Sequence, residues 1–197
     1  MEYMMKTEIT KADILPLPDY IKVRKERHAA LIALKKMRRI EIGPVATCYF
    51  ENYDTMLHQV QEMLYIEKGG DEQVEDELRA YNPMIPKGKE LTATVMFEID
   101  EPIRRKNFLS RLGGVENTMF IRFGDHEVMG VPEEDLDRTT ADGKASSVQF
   151  IHFPFTDAQI AAFKSAAQVL VGFSHDQYGH MAVLTDASRD ALAKDFG

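Results

Sequence analysis

YDTMLHQVQEMLYIEKGGDEQVEDELRAYNPMIP, residues 53–86, and LTATVMFEI, residues 91–99, carry the reading on which the fold turns. At about 100° per residue, Met56, Leu57, Val60, Met63 and Leu64 gather on one helical face, and Glu67 falls near its middle. Asn52 or Asp54 caps this core helix, expected over about 54–68, and Gly69-Gly70 ends it. An acidic helix follows. Asn82-Pro83 and Ile85-Pro86 then impose an extended turn, because proline keeps the residue before it out of the helical region. Across 91–99 the period drops to two. Leu91, Ala93, Val95, Phe97 and Ile99 share one side of a strand, and Thr92, Thr94, Met96 and Glu98 the other, which faces a pocket or water.

Working back toward the N-terminus, Val45–Phe50 (VATCYF) is rich in strand formers and is set off by Gly43-Pro44. Cys48 lies within it, where a free cysteine behaves as a small hydrophobe. Before it a long basic helix is expected over about 19–40, holding eight Lys or Arg and two acids. Arg24, Lys25, Lys35, Lys36 and Arg39 form a stripe on it, with Ala29, Ala30, Ala33, Leu34 and Met37 opposite. The stripe reads either as a solvated face balancing the acidic run 71–77 or as a docking surface for an acidic partner. Thr10 and Asp13 mark one capped turn ahead of Pro16 and Pro18.

Toward the C-terminus a helix is expected over 103–112, then strands over 118–123 and 127–131 around a Gly124-Asp125 turn, and an exposed acidic connection over 132–143. Ser147–Phe155 is a strand, Thr156-Asp157 caps a helix, and Val169–Phe173 is a strand. A late loop over 174–184 leads to a C-terminal helix over about 185–196. About six strands and five or six helices, without regular strand-helix-strand alternation, predict one α+β domain with a mainly antiparallel sheet.

Composition narrows the function classes. The chain of 197 residues is 44% hydrophobic and 28% charged, which predicts a soluble globular protein. Its net charge of −8 opposes binding to phosphate backbones and argues against nucleic acid as a partner. A single cysteine rules out an intramolecular disulfide and fits a reducing, cytoplasmic setting. No leader-like segment and no apolar run long enough to span a membrane stand out. Neither G-x-G-x-x-G nor a P-loop is present, and neither G-x-S-x-G nor H-E-x-x-H occurs.

Two places hold candidate chemistry. On the core helix Glu67 either faces inward, as helical phase places it, where a carboxylate needs a partner, or swings to solvent beside Lys68 in the last turn. His58 and Glu62 are neighbours at i and i+4; His58 is expected to face out, while Gln61 and Glu62, on the boundary of the stripe, line the same cavity as Glu67. In the late loop His175, Asp176, Tyr178 and His180 follow a strand end, a common place for functional groups. His175 and His180, with Glu62 from the helix, are metal-ligand types for iron or zinc. An enzyme and a pure binding protein both remain open.

KKMRRIEIGPVATCYFEN, QVQEMLYIEKG, ELRAYNPMIPKGKELTATVMFE, SVQFIHF and the late HDQY resemble the bacterial family catalogued as domain of unknown function 3501, from about Ile9 to Phe196. The matching positions are Gln61, Glu62, Met63, Glu67, Tyr81, Asn82, Pro83, Pro86, Thr94, Glu98, His175 and Tyr178. Gln61, Glu62, Glu67, Tyr81, Asn82, Glu98 and Tyr178 are accordingly the candidate ligand-binding set. The family tends to have Asp-His-Pro where this chain has Ser174-His175-Asp176, so the loop lacks a stiffening proline. The resemblance implies no particular activity. It does imply a setting beside rubrerythrin-like and heterodisulfide-reductase-like iron-sulfur proteins. From it follow two readings: an accessory or ligand-binding protein of that redox system, or a metal-dependent enzyme or metal carrier joining the Gln-Glu-Met helix to the His175 loop.

Overall fold

Where apolar residues recur every second position the chain enters a sheet, and where they recur every third or fourth it covers one. The computed structural model describes residues 6–133 and 143–197, and the connection expected over 132–143 falls almost wholly outside them. After one turn at Lys11–Asp13 come α1 (Leu17–Lys36), β1 (Arg39–Ile42), β2 (Ala46–Phe50), α2 (Tyr53–Glu67) and α3 (Gly70–Tyr81). There follow β3 (Glu90–Phe97), α4 (Pro102–Leu109), β4 (Met119–Phe123), β5 (His126–Met129) and β6 (Val131–Pro132). β7 (Val148–Pro154), α5 (Asp157–Ser165), β8 (Leu170–Phe173), β9 (Met181–Val183) and α6 (Asp186–Leu192) complete the described chain.

The strands form two antiparallel sheets, of order β1-β2-β3-β7-β6 and β5-β4-β8-β9. The fold is α+β, as expected, with nine strands rather than six among the described residues. The basic helix expected to reach residue 40 stops at Lys36. Arg39–Ile42 instead alternates exposed and buried and pairs with β2, Ile40 opposite Cys48. The C-terminal helix shortens to α6 and a single turn at Ala193–Asp195. The late loop contains β9.

The alternation read in 91–99 organises both sides of the first sheet. Leu91, Ala93, Val95 and Phe97 are buried with Cys48, Phe50, Ile151 and Phe153, against Met119, Ile121, Phe123, Val171 and Phe173 of the second sheet. Cys48 is sealed in this core, and burial pushes its thiol well up, which makes it inert. On the other side Phe150 packs with Met56, Val60, Met84, Ile85 and Ile9, so α2 and the proline turn cover the sheet's polar face. The α2 start is fixed by a capping box: Asn52 Oδ1 accepts from Thr55 N at 3.0 Å, and Asn52 N donates to Thr55 Oγ1 at 2.9 Å.

Two charged clusters tie elements distant in sequence. Arg38 is 2% exposed; its Nε donates to the Phe50 carbonyl and its Nη2 to the Glu51 carbonyl, each at 2.9 Å. The same guanidinium pairs with Asp195, fastening the last helical turn to the end of β2. Next to the sheet's far edge His152 on β7 lies between Glu90 (Nδ1, 3.0 Å) and Glu133 (Nε2, 2.7 Å). Those carboxylates raise its pKa above the ordinary 6.5, although burial works against the charged ring.

Breaking the first cluster leaves a buried charge unpaired. Asp195→Asn is expected to cost about 3–5 kcal/mol in urea unfolding; a change within about 0.5 kcal/mol would place the pair among surface contacts of no consequence. For His152 the folded pKa exceeds the unfolded one, so the stabilisation is complete below pH ~6.5 and fades as pH rises through the raised folded value. The stability gap between wild type and His152→Gln should therefore narrow as pH rises above about 6.5. A gap that stays constant contradicts the bridge.

Candidate functional site

Residues 47–51 alternate between the two faces of the first sheet, which sends Tyr49 and Glu51 to the helix-covered side. Thr94 and Met96 of β3 and Val148 and Phe150 of β7 lie on that same side. Between this sheet and the helices remains a cavity of about 370 Å³. Its polar wall consists of Lys35, Tyr49, Glu51, Gln59, Tyr81 and Thr94; its apolar wall is Met56, Met96, Val148 and Phe150. The volume lies at the small end of ligand sites, and the mixture of an apolar wall with a few polar groups is that of a small-molecule pocket.

Glu51 dominates the electrostatics. It is 5% exposed, with the Thr55 and Thr94 hydroxyls beside its carboxyl group. Its Oε2 is shielded from water and has no hydrogen-bond partner among the described residues. Burial raises its pKa, against the lowering pull of those hydroxyls and of the Lys35 and Arg38 charges. Leaving one such buried group unsatisfied costs roughly 1–3 kcal/mol. Tyr81 is also pushed up by burial, and its hydroxyl accepts from Gln59 Nε2 at 3.5 Å.

Of the residues singled out from sequence, Tyr81, Thr94 and Lys35 line this cavity and the others are placed elsewhere. Gln61 is buried and clamps the backbone of Leu15, accepting from its N–H at 2.8 Å and donating to its carbonyl at 3.2 Å. Asn82 does the same for Ile9, at 2.8 and 2.9 Å. Both carboxamides imitate a strand partner and hold the N-terminal segment against α2 and α3. Gln61 also borders a larger groove of about 490 Å³, but its amide is already committed at both ends. Glu98 is exposed beside the cavity, accepting from Thr47 Oγ1 at 2.5 Å and from Tyr49 OH at 3.2 Å.

Three of the candidates take structural roles. Glu67 does not face inward: it is exposed at the end of α2 and accepts from Gln73 Nε2 at 2.9 Å. Its angular position matches Val60, but the helix has by then run past the core, and Lys68 closes it in the left-handed conformation. Glu62 is the enclosed acid, held by Arg24 at 2.7 and 2.8 Å and by Tyr20 OH at 2.5 Å. Arg24 draws its pKa down to about 2. Tyr178 is a rivet: its hydroxyl donates to the Ile42 carbonyl at 2.6 Å and accepts from Val45 N and Ala46 N at 3.3 and 3.0 Å. Gly43, at φ +70°, lets the β1–β2 turn close on it, since a Cβ there would lie 2.6 Å from the His180 ring.

The expected metal set does not assemble. His175 accepts from Gln177 N at Nδ1 and meets the Gly113 carbonyl at Nε2, so both nitrogens are occupied. His180 packs on Tyr178, and Glu62 belongs to α1 through Arg24 and Tyr20. Among the described residues no three His, Cys, Asp or Glu converge as metal ligands. His58 faces His28 at 5.8 Å between ring centres, and burial lowers its pKa. The basic stripe is also broken up. Arg24 is paired with Glu62, Arg39 lies on β1 beside Glu41 and Tyr49, and Lys35 lines the cavity. Lys25 and Lys36 stay exposed.

Glu51, Arg38 and Gln59 were not singled out from sequence. The Thr47, Tyr49, Glu51 alternation could have found the first, because it extends the strand's polar side one residue past VATCYF.

No curated protein gives a significant match to this chain. A solved structure, described as a novel protein of unknown function from Burkholderia pseudomallei K96243, is similar: it shares 36% identity with a TM-score of 0.89. The likeness covers 96% of this chain and 99% of that one. The family profile described as "Protein of unknown function (DUF3501)" matches residues 8–196, so the chain belongs to the DUF3501 family.

Proposed function

We propose that this protein is a small-molecule-binding accessory protein whose ligand occupies the Glu51 cavity, working in the iron-sulfur redox setting that the family resemblance implies. One observation carries the binding part: Glu51, which lines the cavity, has a buried carboxyl oxygen without a partner among the described residues. A fold tolerates such a group where something else satisfies it, and ligand sites are where that happens. The apolar wall supplies affinity through burial, and the hydroxyls of Tyr49, Tyr81 and Thr94 supply orientation. An acidic iron-sulfur partner belongs to this reading as the setting. The exposed Lys25 and Lys36 are the cations of the stripe left for it to meet.

Filling the cavity should abolish uptake without unfolding the chain. In the small-molecule fraction of a lysate from the native cells, the melting temperature of the wild type should rise by at least about 2 °C. Met96→Trp, checked for native circular dichroism, should show no rise. Equal behaviour of the two proteins contradicts the proposal.

A further inference from the structure

The Glu51 cavity has a basic and an acidic side chain in its wall that form no direct ion pair. Lys35 and Glu51 line the same space of about 370 Å³, and the Lys35 charge acts on the Glu51 carboxyl group. Yet no ion pair joins them among the described residues. Lys35 has no other carboxylate partner among those residues either. We infer that the ligand is a compact zwitterion of the α-amino-acid class with an apolar side chain, its carboxylate held by Lys35 and its ammonium by Glu51; this rests on the binding reading of the same cavity.

The chemistry of each wall argues for that class. A ligand with one charge would pair with Lys35 or with Glu51 and leave the other side chain without a direct partner, which costs most at the buried Glu51. A neutral ligand would leave both. The partner of Glu51 Oε2 must be a donor, and a primary ammonium carries three, whereas a quaternary ammonium carries none. Lysine is a point charge that accepts a carboxylate without demanding fork geometry. Between the two charges Met56, Met96, Val148 and Phe150 offer a surface on which methionine, leucine or phenylalanine side chains would be buried. The arrangement thus matches both charges and the apolar middle of one small molecule.

Isothermal titration of the wild type with leucine, methionine and phenylalanine, their amides and their deaminated acids tests the class. At least one free amino acid should bind, and its amide and its deaminated acid should each bind about tenfold or more weakly. Lys35→Met should erase the preference for acid over amide and keep the preference for the amine. Glu51→Gln should do the reverse. The ligand-side comparison stands even where a variant folds poorly. Amides or deaminated acids that bind as well as the parent overturn the class, as does the failure of all three amino acids to bind. The cavity reading falls with it only if, in addition, the wild type takes up nothing from the lysate fraction that Met96→Trp excludes.

Discussion

A buried guanidinium sets the geometry on which the cavity depends. Arg38 sits just past the end of α1, on the side of β2 away from solvent, and holds the carbonyls of both Phe50 and Glu51. Those two residues face opposite ways: Phe50 enters the core between the sheets, and Glu51 enters the cavity under the helices. Fixing both carbonyls fixes that divergence, and the Glu51 N–H bond to the Thr92 carbonyl at 2.8 Å completes it. Asp195 balances the charge from the other end of the chain. One ion pair therefore joins the basic helix, the central sheet and the C-terminal turn at the point where the candidate ligand group emerges. A desolvated pair of this kind contributes little net stability compared with a well-packed apolar substitute, but it is demanding about geometry, and its loss on one side alone is severe.

Neutral side chains carry much of the remaining architecture. Gln61 and Asn82 each offer one donor and one acceptor in the spacing of a peptide group, and each takes the place of a strand partner for the N-terminal segment. Tyr178 satisfies three backbone groups of the β1–β2 turn with one hydroxyl. These residues look chemical in a sequence because amides and phenols are common in active sites. Here their hydrogen-bonding capacity is spent inside the fold. The contrast with Glu51 is what distinguishes a site from scaffolding: its carboxyl group alone among these has an oxygen left over.

The fold class was legible from 91–99, where partial alternation gives one apolar and one mixed face, and from the helical period of 53–67. Thr94 and Met96 were correctly grouped on the strand side that meets a pocket. The hairpin strand β1 was hidden because four residues, Arg-Ile-Glu-Ile, directly continue a helical run with no glycine or proline between. Glu67 was misplaced for a different reason. Helical phase gives an angle around the axis but not whether the core still lies opposite at that height, and α2 overhangs its core by its last turn. The His175 loop shows the same limit, since metal-ligand residue types say nothing about whether their nitrogens are already bonded to backbone. Glu51 was passed over because it falls between a strand and a helix cap, where an acid reads as part of a loop.

Everything proposed about function rests on the state of one carboxyl group. Carbon-13 NMR titration of glutamate-labelled protein, with the Glu51 signal assigned by its absence in Glu51→Gln, measures that state directly. The account predicts an apparent pKa above the ordinary 4.5 in the free protein. It also predicts a shift of that same signal when the cavity is filled by a bound molecule. A Glu51 that titrates at or below the ordinary value, and whose signal ignores every ligand, would show a satisfied structural acid and contradict the account.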